Sequence, residues 1–228
     1  MSGTWALVPV KTPEHSKTRL ASVLQPQECA SLSRAMFLDV LNALGAAAGI
    51  THIAVLTNDD EVAEIVAQLG YEVIRDQHGG ELSKGLNAAA RYIADQGADV
   101  MLVIPGDIPT ISPQDIEQLL QRHLELETGS LSLCPAIRDG GTNALVCSPP
   151  DALPFQFGDD SAQRHLDVAE QQGLHTMRLP MQAFFRDIDI PDDLVWLTHQ
   201  ESDSNTLRFL RQSGIFARLS PGLAEASA

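Results

Sequence analysis

Apolar and polar positions alternate along this chain in blocks that predict β-strands and α-helices in turn. Short runs rich in branched apolar residues, such as Trp5 to Val10, predict strands. Longer stretches with an apolar residue every three or four positions, such as Pro26 to about Ala46, predict helices. Regular alternation of the two is typical of βαβ units around a parallel sheet. In the first half the further predicted strands are 52–57, 71–75 and 100–104, and the further helices are 60–69, 83–96 and 113–127.

The alternation changes in the second half of the chain. Leu131 to Pro135 and Asn143 to Cys147 predict two strands, and the polar turn Arg138 to Gly141 between them leaves no room for a crossover helix. We therefore expect a mixed, mostly parallel sheet inside a single three-layer α/β/α domain. Further along, a strand is predicted at 184–189 and helices at 162–172, 191–199 and 205–212.

We divide the chain into a domain of residues 1–199 and a C-terminal tail of residues 200–228. The sequence contains no internal repeat and no linker long enough to separate two larger domains. The tail holds one helix candidate and ends in a segment rich in Ser, Ala and Gly, which we expect to be frayed.

Composition and charge narrow the classes of function. The chain has 228 residues, 44% of them hydrophobic, which suffices for one sizeable core. A net charge of −15 without any basic run argues against nucleic acid or an anionic membrane as a partner. No segment approaches the ~20 apolar residues of a membrane span, and the first apolar segment is too short for a signal peptide. Cys29, Cys134 and Cys147 lack metal-ligand spacing, which predicts reduced thiols in a cytoplasmic protein.

The segment Val100 to Pro109 carries the strongest indication of chemistry. Its apolar run predicts a strand buried on both faces, which Pro105 and Gly106 end abruptly before a single carboxylate, Asp107. Ligands of open α/β sheets bind beyond the carboxyl ends of the strands, so Asp107 is placed to hold a divalent cation on a nucleotide phosphate. The alternative is a capping Asp, but Ser112 fits that role better.

Lysine is rare in this chain and is concentrated near the predicted site. Of the fifteen cationic residues, only Lys11, Lys17 and Lys84 are lysines, and two of them follow the first strand. A compact ammonium suits a point contact with phosphate, which favours Lys11 and Lys17, together with Arg19, as nucleotide contacts. The alternative is an ordinary solvated loop, and for Lys84 the two interpretations are balanced.

A second group of acids lies near the end of the predicted domain. Asp187 and Asp189 alternate with isoleucines, so both carboxylates are expected on one face of the last predicted strand. Asp189 is the better metal candidate of the two. Asp192 and Asp193 fall in the first turn of a helix, where acids complement the helix dipole.

The motifs for nucleophilic catalysis, for a P-loop and for zinc hydrolysis are absent from the sequence. Two strand-end carboxylates opposite a cationic loop suit metal-assisted nucleotidyl transfer instead. If the acceptor is itself a phosphate, its oxygen is ionised at neutral pH, and no general base is needed.

The order of these motifs resembles the guanylyltransferases of coenzyme F-420 biosynthesis, which use 2-phospho-L-lactate, phosphoenolpyruvate or 3-phosphoglycerate. The resemblance covers about residues 4 to 199. It rests on Val8-Pro9-Val10-Lys11 with Lys17-Thr18-Arg19-Leu20, Pro105-Gly106-Asp107, Gly140-Gly141-Thr142-Asn143, Phe157-Gly158 with Ser161 and Arg164-His165, and Asp187-Ile188-Asp189 with Asp192-Asp193-Leu194. The two motifs around Thr142 and Gly158 are the most specific of these.

The resemblance implies a nucleotide-diphospho-sugar transferase (GT-A-like) fold and an enzyme whose partners are GTP and a small phosphorylated carboxylic acid. It implies that Asp107 and Asp189 bind Mg²⁺ and that Asp107, Lys17 and Lys11 are catalytic. The acid is expected to contact Thr142, Asn143, Gly158 and Ser161. The residues expected to bind the nucleotide are Pro9, Lys11, Lys17, Arg19, Lys84 and Asn87.

Several alternatives remain open. Ser161 sits where a helix begins, so it either caps that helix or binds the anionic acid there, or does both. The function itself has two rivals: a related transferase of the same fold that acts on a sugar phosphate or pterin, and a nucleotide-binding module without catalysis. The identity of the acid, the number of metal ions and the oligomeric state, with a homodimer as one option, also stay open.

Overall fold

The structure is a computed structural model that describes residues 3–11 and 17–219. Its strands are β1 (Thr4–Pro9), β2 (His52–Thr57), β3 (Glu72–Arg75), β4 (Val100–Val103), β5 (Ser130–Pro135), β6 (Thr142–Ser148) and β7 (His175–Arg178). Its helices are α1 (Pro26–Ala46), α2 (Asp60–Gln68), α3 (Leu82–Asp95), α4 (Pro113–His123), α5 (Ser161–Gln171), α6 (Pro191–Thr198), α7 (Asn205–Gln212) and α8 (Ile215–Leu219). Short 3-10 turns lie at Thr18–Leu20 and Gln182–Phe184.

The described strands form one mixed sheet in the order β3-β2-β1-β4-β6-β5-β7. The strands from β3 to β4 run parallel, whereas β6 is antiparallel to both β4 and β5. The amino end of β6 therefore lies at the same edge of the sheet as the carboxyl ends of β1 and β4. This edge brings together loops that are distant in the sequence, as the predicted mixed sheet requires.

The core consists of two apolar layers, one on each face of the sheet. Within β1, Ala6 and Val8 pack toward α1, α2 and α4, while Leu7 packs toward α3 and α5. Every residue of β4 is buried, since helices cover both of its faces. The predicted three-layer α/β/α arrangement is confirmed. No helix within the described ranges is both long and apolar enough to cross a membrane.

The strand predicted at Phe184 to Asp189 is wrong. The structure has a 3-10 turn followed by irregular backbone there, and the last strand is β7. The sequence analysis missed β7 because it is a short edge strand with exposed and half-buried residues, and β5 is its one partner among the described strands. Phe184 and Ile188 are buried because each enters a separate apolar cluster, and not because they share a strand face. Helix α4 is also shorter than predicted and ends at His123.

Residues 205–219 pack onto α1 as part of the fold, and the helix predicted at 205–212 is present as α7. The buried carboxylate of Asp39 accepts hydrogen bonds from the backbone N–H groups of Asn205 and Thr206, and from both of their side chains, at 2.6–2.9 Å. A carboxylate at a helix N-terminus satisfies unpaired donors and complements the dipole. The predicted fraying after residue 219 lies outside the described residues.

We predict that Asp39→Ala destabilises the whole domain by about 2–3 kcal/mol, because a buried charged acceptor of several hydrogen bonds is lost. The free energy of unfolding in urea at neutral pH measures this effect. Asp203→Ala is the matched control, since Asp203 is an exposed acid just before the same helix. Equal, small changes in the two variants would show that Asp39 does not hold α7 in place.

Candidate active site

A cleft of about 590 Å³ opens at the carboxyl edge of β1 and β4. Its walls come from the loops that follow β1, β3 and β4, from the turn between β5 and β6, and from the segments before α5 and α6. Eight residues that the sequence analysis selected line this cleft: Pro9, Lys11, Lys17, Asp107, Thr142, Asn143, Gly158 and Asp189.

The centre of the cleft is an ion pair between Lys17 and Asp107. The Lys17 Nζ lies 2.6 Å from Asp107 Oδ2 and 3.8 Å from Asp189 Oδ1, and only 8% of the lysine side chain is exposed. Burial opposes the charge on Lys17. The attraction of Asp107, the hydrogen bond that Lys17 donates to it, and the further attraction of Asp189 and Asp187 outweigh burial and raise the lysine pKa. The ammonium is therefore held charged between carboxylates.

The backbone at Lys17 directs this contact. Lys17 adopts a left-handed conformation with φ of 59°, which is uncommon for a residue with a side chain. It immediately precedes the 3-10 turn Thr18–Leu20, whose Leu20 is fully buried in the core. The turn is thereby fixed to the core while the lysine side chain points back to the sheet edge.

The two carboxylate oxygens of Asp107 differ in their hydrogen bonding. Its Oδ2 accepts from Lys17, but its buried Oδ1 has no hydrogen-bond partner among the described residues. A buried carboxylate oxygen without a partner costs about 1–3 kcal/mol and calls for an explanation. A cation bound in the cleft would supply the missing interaction.

The donor set indicates which cation fits. In the part of the chain that the structure describes, no three His, Cys, Asp or Glu side chains form a group that could hold a metal by themselves. Mg²⁺ is commonly bound by one or two carboxylates, with waters and substrate phosphates completing its shell. The carboxylates of Asp107 and Asp189 at this edge fit Mg²⁺ in that mode, and they do not fit a closed zinc site.

The segment with Asp187 and Asp189 is irregular, yet it is held firmly in place. Arg138 donates to Asp187 Oδ2 at 2.9 Å and to Asp193 Oδ2 at 2.7 Å. The same Asp193 oxygen accepts the backbone N–H groups of Asp189 and Ile190, and Asp193 is almost completely buried. Asp193 is thus more than an acid in a first helical turn, because it fixes the backbone that carries Asp189.

Asp187 also lies within this electrostatic cluster. Burial raises its pKa, and the nearby negative charge of Asp107 adds to the rise, while Arg138 and Lys17 act against it. Sequence reasoning missed Arg138 because its partners lie about fifty residues away. An arginine inside a short polar turn between two strands was the only available indication.

Three of the residues expected to bind the nucleotide do not line the cleft. Arg19 is largely exposed and donates to Asp189 Oδ2 at 3.0 Å. Lys84 pairs with Glu81 on the surface, and Asn87 hydrogen-bonds the backbone of Phe155. Lys84 and Asn87 border a separate depression of about 600 Å³. Their binding of a nucleotide stays a prediction.

Of the four residues expected to bind the acid, Thr142, Asn143 and Gly158 line one wall of the cleft, which we call the acceptor wall, and Ser161 does not. Thr142 opens β6, and the side-chain amide of Asn143 donates to the carbonyl of Phe184 at 2.8 Å. Gly158 has φ of 127°, a conformation that side chains rarely allow. Ser161 is fully buried outside the cleft, and its hydroxyl lies 3.0 Å from that of Thr142.

The structure also bears on the alternative role of Ser161 as a helix cap. Asp160 occupies the N-cap position of α5, and Ser161 is the first helical residue. The Ser161 hydroxyl therefore does not cap the helix. It forms a hydrogen bond with the Thr142 hydroxyl outside the cleft.

Comparisons with known proteins show which family this chain is similar to. The family model described as "Guanylyl transferase CofC like" matches residues 4–225, so the match includes the tail as far as residue 225, beyond the range of the sequence resemblance. A phosphoenolpyruvate guanylyltransferase of Roseiflexus sp. is 38% identical over 208 residues, 90% of each chain. A 3-phospho-D-glycerate guanylyltransferase of Colwellia psychrerythraea is 33% identical over 82% of this chain and 88% of its own. A 2-phospho-L-lactate guanylyltransferase of Methanothermobacter thermautotrophicus is 29% identical over 92% of this chain and 90% of its own.

Solved structures show the same fold at lower sequence identity. A proposed nucleotide-diphospho-sugar transferase of Desulfovibrio desulfuricans G20 has a TM-score of 0.79 at 22% identity, covering 96% of this chain and 97% of its own. A cytidylyltransferase of Leptospira borgpetersenii has a TM-score of 0.61 at 14% identity, covering 97% and 98%. The expected nucleotide-diphospho-sugar transferase fold is confirmed.

We predict that Lys17→Met lowers the free energy of unfolding by about 1–3 kcal/mol, because it leaves a cluster of carboxylates without its central cation. Adding Asp107→Asn should recover most of this loss, since the two residues are directly coupled. Lys84→Met is the matched control and should change stability by less than about 0.5 kcal/mol, as exposed pairs contribute little. Additive effects of the Lys17 and Asp107 changes in urea unfolding would contradict the coupling.

Proposed function

The chain belongs to the family of CofC-like guanylyl transferases, and on this premise we propose that it transfers GMP from GTP to the phosphate of a three-carbon phospho-acid. The relatives are named for phosphoenolpyruvate, 3-phospho-D-glycerate and 2-phospho-L-lactate, so these three acids define the class of acceptor. Pyrophosphate is the second product. We further propose that the guanylylated acid serves coenzyme F-420 biosynthesis.

The observation that carries this proposal is the Lys17–Asp107 pair in the cleft at the sheet edge, with one Asp107 oxygen that has no hydrogen-bond partner among the described residues. A chain of net charge −15 has to concentrate its cations locally in order to accept two anionic substrates. Lys11 and Lys17 follow β1 and line the cleft at this edge. They are the groups that we expect to meet the triphosphate.

The reaction requires little covalent chemistry from the protein. An oxygen of the acceptor phosphate forms a bond to the α-phosphorus of GTP, and the bond from that phosphorus to the α–β bridging oxygen breaks. The electron pair leaves with pyrophosphate. The acceptor oxygen is already ionised near neutral pH, so no side chain has to remove a proton.

Electrostatic repulsion is then the main obstacle. Two unit charges of like sign at ~4 Å repel by about 4 kcal/mol at an effective dielectric near 20. Lys17 and Lys11 offset part of this repulsion on the nucleotide side. On the acceptor side, the hydroxyl of Thr142 and the backbone near Gly158 provide uncharged contacts for the acid.

The residues that would hold Mg²⁺ are Asp107, through its free oxygen, and Asp189. When bound, the metal would neutralise phosphate charge and align the reacting oxygens. Arg138 and Asp193 hold the backbone of Asp189 in place for this role. Lys17, which contacts the other oxygen of Asp107, would supply a further positive charge beside the nucleotide phosphates.

The acceptor can be identified directly. Incubation of the protein with GTP, Mg²⁺ and each of the three acids in turn should yield one guanylylated acid by mass detection, together with pyrophosphate. Glucose 1-phosphate serves as the control acceptor for sugar-phosphate transfer. Product with the sugar phosphate and with none of the acids would overturn the proposal.

We predict that Asp107→Asn lowers turnover at least a thousandfold, since the change removes the metal-binding charge and keeps the side-chain shape. Asp167→Asn is the matched control, because Asp167 is an exposed acid of α5. Circular dichroism should show both variants folded. If Asp107→Asn retained near-normal turnover at ordinary Mg²⁺ concentration, the metal assignment would be wrong.

A further inference from the structure

His165 is a buried, neutral side chain that the reaction described above does not use. It lies on α5 and is completely inaccessible to solvent. The Nε2 atom of its imidazole accepts a hydrogen bond from the backbone N–H of Gln156 at 2.9 Å. The Nδ1 atom lies at hydrogen-bond distance, 3.1 Å, from the hydroxyl oxygen of Thr142. The rings of Phe155 and Phe157 pack edge-on against it.

These partners determine the tautomer of the imidazole. The N–H of Gln156 can only donate, so Nε2 of His165 has to be the acceptor and carries no proton. Burial, with a smaller contribution from Arg164, lowers the His165 pKa to about 4, so the ring is neutral at physiological pH. Its single proton is therefore on Nδ1, which donates to the Thr142 oxygen.

The hydrogen-bond donors and acceptors of Thr142 and Ser161 can be assigned in the same way. The Ser161 hydroxyl is fully buried, and the one partner that the structure gives it is the Thr142 hydroxyl. Because a buried O–H requires an acceptor, Ser161 donates to Thr142, and both lone pairs of the Thr142 oxygen are then used, one by Ser161 and one by His165. The remaining group on Thr142 is its own O–H, and Thr142 lines the cleft.

We propose that His165 is a positioning residue that keeps the Thr142 hydroxyl turned outward as a hydrogen-bond donor to the phospho-acid. The Nε2 atom accepts from the backbone N–H of Gln156 and so anchors the loop that leads to Gly158. One imidazole therefore positions both Thr142 and this loop. The ligand chemistry is an anionic oxygen, of a phosphate or a carboxylate, which an obligatory donor suits better than a hydroxyl free to rotate. The identity of this ligand rests on the proposed function.

Two substitutions of His165 separate the roles of the two nitrogens. In His165→Asn the amide nitrogen lies near the Nδ1 position and can still donate to Thr142, whereas in His165→Gln the amide lies near the Nε2 position. We expect His165→Gln to raise the KM for the acid about ten- to hundredfold, with the KM for GTP changed less than about twofold. The Asn variant should raise the acid KM no more than about threefold.

The double variant with Thr142→Val tests whether His165 acts through Thr142. Thr142→Val alone should raise the acid KM by a factor similar to that of His165→Gln, and combining the two should add little. Fully additive effects, equal effects of Asn and Gln, or a parallel rise in the KM for GTP would overturn the proposal.

A measurement on the unmodified protein covers the case in which these variants do not fold. With 15N-labelled histidine, two-bond nitrogen–proton spectra distinguish the two neutral tautomers of His165 near pH 7. The proton is expected on Nδ1, and a proton on Nε2 would refute the inference. If the wild-type protein turns over a phospho-acid but the variant kinetics or the tautomer contradict the role of His165, the proposed function still stands. Absence of turnover with all three acids would count against the function itself.

Discussion

The contact between the Lys17 ammonium and the Asp107 carboxylate organises the site, since three carboxylates converge at one sheet edge of a strongly acidic chain. Without a cation there, Asp107, Asp187 and Asp189 would repel one another in a partly buried cleft, and burial, with a further contribution from the charge of Asp107, already raises the pKa of Asp187. Lys17 compensates for part of this repulsion, while the other oxygen of Asp107 has no hydrogen-bond partner in the part of the chain that the structure describes.

The site depends on loops that buried polar contacts hold in place. The backbone N–H of Ile188 donates to the carbonyl of Asp107 at 3.0 Å, which ties the last acidic segment to the loop after β4. Arg138 and Asp193 fix the same segment from the other side. On the acceptor wall, His165 links α5 to β6 and to the loop before Gly158. Each wall therefore has its own anchor, so the proposed nucleotide and acceptor sides can be perturbed separately.

The sequence predicted the parts of the structure that local pattern determines. The fully apolar run of β4 and the abrupt stop before Asp107 placed that carboxylate at the sheet edge, and the short turn after β5 indicated a mixed sheet. The strand β7 escaped prediction because an exposed edge strand has no apolar alternation. Arg138 and His165 escaped for a different reason: their roles come from partners far away in the sequence, and only the folded chain brings Asp187 or Thr142 to them. The burial of Ser161 behind Thr142 likewise needed the structure.

In the proposed mechanism the nucleotide and its metal lie between β1 and β4, with Asp107 as a direct ligand. A crystal structure with Mn²⁺ and a non-hydrolysable GTP analogue tests this most directly. Anomalous scattering identifies manganese without ambiguity. The expected result is a manganese peak bonded to an oxygen of Asp107, with the nucleotide phosphates beside Lys17 and Lys11. Nucleotide and metal bound instead in the depression bordered by Lys84 and Asn87, with Asp107 still paired to Lys17 alone, would contradict the account.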